Sequence, residues 1–149
     1  MTEAKKILSL IESLTPYTEK EIYRDKLDIL DEIDARVVCY VNTTYEQTFV
    51  GLIKRTHRYG DGFEFTTDGQ LRDHNLTIRY TRSRDALKSI RPEGCWRMHI
   101  EVTPNGESVC ELEREEDDGK DFKIISIQAT EELTELHAII QAIEWERNN

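Results

Sequence analysis

The stretch Cys95-Trp-Arg-Met-His-Ile-Glu-Val102, with Thr103-Pro-Asn-Gly106 after it and Ser108-Val-Cys-Glu-Leu112 beyond, decides the fold. Trp96, Met98, Ile100 and Val102 alternate with Cys95, Arg97, His99 and Glu101, the period of a strand with one apolar and one polar face. Asn105-Gly106 supplies a turn, and Ser108, Cys110 and Leu112 can line one face of a return strand. An antiparallel hairpin follows from that pattern.

Working outward, Glu113 to Asp121 reads as an acidic connection and Phe122-Lys-Ile-Ile-Ser-Ile127 as a further strand. Thr130 can cap a last helix, of which Leu133, Leu136, His137, Ile140, Ile143 and Glu144 mark one face. On the other side, Ser83 to Ile90 predicts a short helix with a serine N-cap. Phe63-Glu-Phe65 and Leu76 to Tyr80 read as short strands between the turns at Gly60-Asp-Gly62 and Asp68-Gly69. The β-branched runs Arg36 to Val41 and Gln47 to Ile53 read as a hairpin around Asn42-Thr-Thr44. Between Glu19 and Asp34, Tyr23, Leu27 and Leu30 fit a helix while Leu27 and Ile29 alternate like a strand, so both readings stay open. Ala4, Ile7, Leu8, Ile11 and Leu14 form the stripe of a first helix, ended by Thr15-Pro16. The expected fold is α+β: one domain over residues 1–149, with an antiparallel sheet of about five to seven strands and the N- and C-terminal helices packed on one face.

A chain of 149 residues is enough for one core. No apolar run approaches the roughly 20 residues that span a bilayer, so no membrane association is expected. Glu3, Ser9 and Glu12 interrupt the opening MTEAKKILSLIESL, which reads as an amphipathic helix rather than a signal peptide. Three separated cysteines, Cys39, Cys95 and Cys110, point to free thiols in a reducing cytoplasm. The net charge of −10 is unevenly spread: residues 100–149 carry 14 acidic and 4 basic side chains, whereas residues 52–99 carry 10 basic and 6 acidic ones. Such a surface selects partners by charge.

Signatures of catalysis fail on specific grounds. His57, His74, His99 and His137 fall into no zinc spacing, and His99 belongs to the polar face of its strand beside Arg97 and Glu101. Cys39 and Cys110 sit in apolar patterns that raise a thiol pKa rather than activate it. In Glu111-Leu-Glu-Arg-Glu-Glu-Asp-Asp-Gly119, placing Gly119 at the sixth position of a calcium loop puts Arg114 first and Ile125 twelfth, where oxygen ligands are required. Gly60-Asp-Gly62 leads into a strand, whereas phosphate loops lead into a helix. No cofactor or metal is therefore expected. The basic run from Lys54 to Arg58, with Arg72, Arg79, Arg82, Arg84, Lys88 and Arg91, could meet nucleic acid, but the overall charge opposes it and pairing with the chain's own acids is the competing reading.

Residues 87–115, from the short helix through Trp96, the alternating strand, the Asn-Gly turn and the acidic return strand, resemble bacterial toxin-immunity proteins of the YezG type. That resemblance implies a cytoplasmic, non-catalytic antidote that binds a basic toxin, often a nuclease. Charge supports the same reading independently: an acidic surface steers a basic partner, and Glu111, Glu113, Glu115, Glu116, Asp117 and Asp118 would form the partner-binding patch. Two alternatives are kept. One is a secretion-chaperone-like protein, which would dimerise and bind an extended segment; the other is a small enzyme with a site near His57 and His74.

Overall fold

The computed structural model describes residues 2–41, 47–48, 51–52, 79–92, 96–115 and 121–148. Thr2 caps helix α1 (Glu3–Glu12) by accepting from the Lys5 N–H, and the helix buries Ala4, Ile7 and Ile11 as its spacing predicts. Thr18 and Glu21 then form a reciprocal capping box that starts helix α2 (Glu19–Asp25), and helix α3 (Leu27–Val41) follows after Lys26. The ambiguous segment 19–34 is thus helical.

The run Arg36 to Val41 is a correction: it is the last part of α3, not a strand. Leu30, Ile33, Val37 and Val38 are all buried at helical spacing, so a stripe that begins upstream overrides the β propensity of the Val-Val-Cys-Tyr-Val run. The predicted partner strand over Gln47 to Ile53 is also different. Strands β1 (Gln47–Thr48) and β2 (Gly51–Leu52) pair antiparallel with each other, Gln47 opposite Leu52. Phe63 to Phe65 lies outside the described residues, as do Leu76 to Ile78, while Tyr80 is a buried turn residue rather than the end of a strand. Helix α4 (Arg84–Lys88) carries the expected Ser83 cap, bonded to the Ala86 N–H at 3.2 Å.

The hairpin is strand β3 (Trp96–Val102) against strand β4 (Ser108–Glu115), in register Trp96–Arg114 through Val102–Ser108. Its loop is a three-residue connection. The Gly106 N–H donates to the Thr103 carbonyl at 2.9 Å, Thr103 N–H donates to Glu107 O at 2.8 Å, and Gly106 adopts φ +85°. This is a β-turn followed by a left-handed glycine bulge, so Asn105-Gly106 occupies the second half of the turn rather than its centre. Strand β5 (Asp121–Ile127) pairs with the other edge of β4, giving the order β3-β4-β5. The α+β class and the antiparallel sheet hold. The expected five to seven strands do not, since this sheet has three strands among the described residues and one of the expected strands is helix α3.

Helix α5 (Glu131–Asn148) is capped by Thr130, whose Oγ1 accepts from the Leu133 N–H. One apolar face is too modest a description of it. Leu133, Leu136, Ala138, Ile139, Ile140 and Ala142 are all buried, pointing around the helix rather than to one side. The reason is its position: α5 packs on β4 and β5 with one side and on α1 with another, while α3 packs on α1 and α4 on α5. The inner sheet face meets it with buried Cys110, Leu112, Ile124 and Ser126. Each large apolar side chain sealed there stabilises the fold by about 1.5–3 kcal/mol. The helices thus lie on one face of the sheet, and its other face is open among the described residues.

Candidate binding surface

That open face is organised by β4. Cys110 and Leu112 point into the core, so the alternation turns Glu111 and Glu113 outward, with Glu115 beyond them. Glu111 stands between His99 of β3 and Ile125 of β5, and Glu113 between Arg97 and Lys123. Arg97 pairs with Glu115 at 3.1 Å and reaches Glu113 at 3.5 Å, while His99 lies 3.3 Å from Glu101. The Arg97 pairs cross between strands and the His99–Glu101 pair lies within β3; all sit at the surface and are individually weak. The sequence-predicted patch is therefore assembled in part: Glu111, Glu113 and Glu115 share one face, while Glu116, Asp117 and Asp118 lie outside the described residues.

Sequence reading missed the apolar half of this surface. Ile125 is 56% exposed and Ile127 46%, with Val109 directly opposite Ile127. The signal was present in Phe122-Lys-Ile-Ile-Ser-Ile127. Once Phe122 and Ile124 face inward, the period of two places Ser126 inside with them and puts Ile125 and Ile127 outside.

Two further groups carry reactive side chains but are buried. Ser126 Oγ and Gln141 Nε2 both lie at His137 Nδ1, at 2.8 and 3.0 Å, and His137 Nε2 lies 3.2 Å from Glu12 Oε1. The Gln141 amide nitrogen can only donate, so Nδ1 is the acceptor and Nε2–H donates to Glu12. This serine–histidine–glutamate chain has the members of a hydrolytic triad, but Ser126 is 2% exposed, sealed from any substrate. It joins β5, α5 and α1 as a structural network. Burial lowers the His137 pKa, and the bond to Glu12 only partly offsets this. Cys110 is likewise sealed, its thiol pushed up to about 12 by burial and by Glu135, the opposite of a nucleophile.

The described arginines of the basic middle region face the chain's own acids. Arg82 donates to Asp31 at 2.6 Å and to Asp34 at 2.7 Å, and Arg79 approaches Asp31 at 3.6 Å. Arg84 pairs with Glu131, and Arg91 Nε donates to the fully buried Glu135 at 2.8 Å. Asp34, also buried, accepts from Thr81 N–H and Oγ1 as well. Residues 79–91 are thereby strapped to α3 and α5, and these guanidinium groups are engaged by the chain's own carboxylates. At the far end of the sheet, Trp96, Phe122 and Trp145 pack against one another, Arg114 lies over both indoles, and Trp96 Nε1 and Arg114 converge on Glu146.

Among the described residues no three His, Cys, Asp or Glu side chains converge as metal ligands, and no helix is long and apolar enough to cross a membrane. His57, His74 and Cys95 lie outside the described residues. No family model matches the chain, and no curated protein or solved structure matches it.

Proposed function

We propose that this is a non-catalytic binding protein that receives a basic protein partner on the outer face of its sheet, with neutralisation of a toxin, as in an immunity protein, as the specific case. The observation that carries the reading is the row Glu111, Glu113 and Glu115 on the central strand, set beside the exposed Ile125 and Ile127. Carboxylates steer and orient a cationic partner, whereas exposed isoleucines supply area whose desolvation holds it. Net charge and the resemblance of residues 87–115 to toxin-immunity proteins of the YezG type add support from the sequence. In this reading the protein acts in the cytoplasm without a cofactor.

Affinity capture from the native host, followed by titration with the purified captured protein, tests it. The partner should be basic, its expression alone should harm the cell, and co-expression should relieve the harm. The paired change Glu111→Lys/Glu113→Lys should weaken binding by tenfold or more, about 1.4 kcal/mol or above, and Ile125→Asp should do the same at an exposed position where folding is not at stake. An acidic partner, or affinity indifferent to both variants, overturns the proposal.

A further inference from the structure

We infer that the partner docks by strand addition: an extended segment of it pairs with the outer edge of β5 and continues the sheet as a fourth strand. This deepens the reading of the outer face and rests on it. β5 meets β4 in seven consecutive residue pairs, from Glu115–Asp121 to Val109–Ile127, with no bulge. Its sequence contains neither proline nor glycine. Among the described residues the other side of this strand pairs with nothing. A regular strand of this kind presents a row of main-chain N–H and C=O groups, a template for another chain.

The two edges of the sheet are unlike. On the open face β3 turns out Arg97, His99 and Glu101, all exposed, and ionisable side chains along an edge deter pairing. β5 turns out Lys123, Ile125 and Ile127, of which one is charged and two are large exposed hydrophobics. β3 is thus the guarded edge and β5 the receptive one.

The layout of the face also chooses the occupant. Its apolar part is a stripe along one side, Ile125 and Ile127 with Val109 opposite Ile127, and the described residues of β3 add nothing apolar to it. A helix laid across all three strands would set apolar side chains on Arg97, His99 and Glu101, whereas a strand beside β5 meets the isoleucines alone. Charge then selects the segment. Glu111 stands opposite Ile125 and has no ion pair, while Arg97 takes Glu113 and Glu115. A lysine or arginine placed opposite Ile125 on the added strand can lay its stem over that side chain and bring its head to Glu111. Opposite Ile127 an apolar residue fits. A second copy of this chain could set its own Lys123 against Ile125, but the same antiparallel register sets Asp121 against Ile127 and brings a net charge of −10 up to another −10. A basic partner meets neither obstacle.

The probe is acetyl-Thr-Val-Thr-Arg-Thr-Val-Thr-amide, titrated at millimolar concentration into the ¹⁵N-labelled full chain. Amide shifts should cluster on residues 121–127 and spare residues 96–102. An added strand uses only alternate main-chain groups, so N-methylation at the peptide's even residues and at its odd residues should differ, one set abolishing binding and the other sparing it. Replacing the arginine by glutamine should weaken binding to the parent at least threefold, and binding to Glu111→Gln by less. Absent shifts, shifts on β3 or scattered over the face, equal behaviour of the two N-methylated sets, or the same loss with Glu111→Gln overturn the proposal. So does a dimer in sedimentation whose β5 amides are protected from exchange, which assigns the edge to a second copy. If the edge fails while the captured partner still loses affinity with Glu111→Lys/Glu113→Lys, the docking face stands and strand addition alone falls.

Discussion

Asp34 and His137 are buried charges-in-waiting with opposite responses to acid. Burial lifts the Asp34 carboxyl to about 6 despite the bonds from Arg82 and Thr81, against about 3.9 in an unfolded chain. A raised carboxyl contributes stability that is complete below the unfolded value and is lost as pH rises through 6. His137 has its pKa lowered by burial, so its contribution is complete above about 6.5 and is lost as pH falls through its folded value. Denaturant midpoints between pH 4 and 7.5 should separate them. The stability gap between the parent and His137→Gln should narrow on acidification, while that between the parent and Asp34→Asn should narrow as pH rises. Parallel gaps across the range would contradict both assignments. Neither response was legible beforehand, because nothing local to Asp34 or His137 shows that Arg82, Thr81, Ser126 and Glu12, up to 125 positions away, close around them.

Legibility varied by element, and two stretches with β propensity show why. In Trp96 to Val102 the alternation, the turn and the return strand agree, so local pattern and tertiary structure give one answer. In Arg36 to Val41 the β-branched run taken alone favours a strand, although the deciding stripe starts at Leu30 and Ile33, eleven and eight residues before the run ends. The hairpin itself offers a test at this scale. Gly106 holds φ +85° with nothing within 4 Å of where a Cβ would stand, so Gly106→Ala meets backbone strain and no clash. It should cost about 1 kcal/mol, and Gly106→Asn should recover part of that because asparagine enters the left-handed region more readily. Equal thermal stability of glycine and alanine forms would show that the turn relaxes.

Across the molecule, the acidic gradient and the basic middle resolve into one arrangement. Glu111, Glu113 and Glu115 are turned to solvent, while Arg79, Arg82, Arg84 and Arg91 bind acids of α3 and α5. Composition could state both excesses but not which charges meet. Arg91 is the sharpest case, because Glu135 is fully buried and its Oε2 has no partner. Arg91→Ala should therefore destabilise by about 3–5 kcal/mol, and Arg91→Met/Glu135→Gln should restore most of it, since removing both charges leaves none stranded. A mild loss in the single variant, read from chemical denaturation, would refute that accounting. The central place of α5 bears on how the chain is made. The sheet and α1 meet α5 on different sides, so during synthesis both surfaces stay open until residues 131–148 have left the ribosome. Hairpin and helices formed by then are exposed to aggregation or chaperone capture, and their lasting docking begins with the emergence of this one segment.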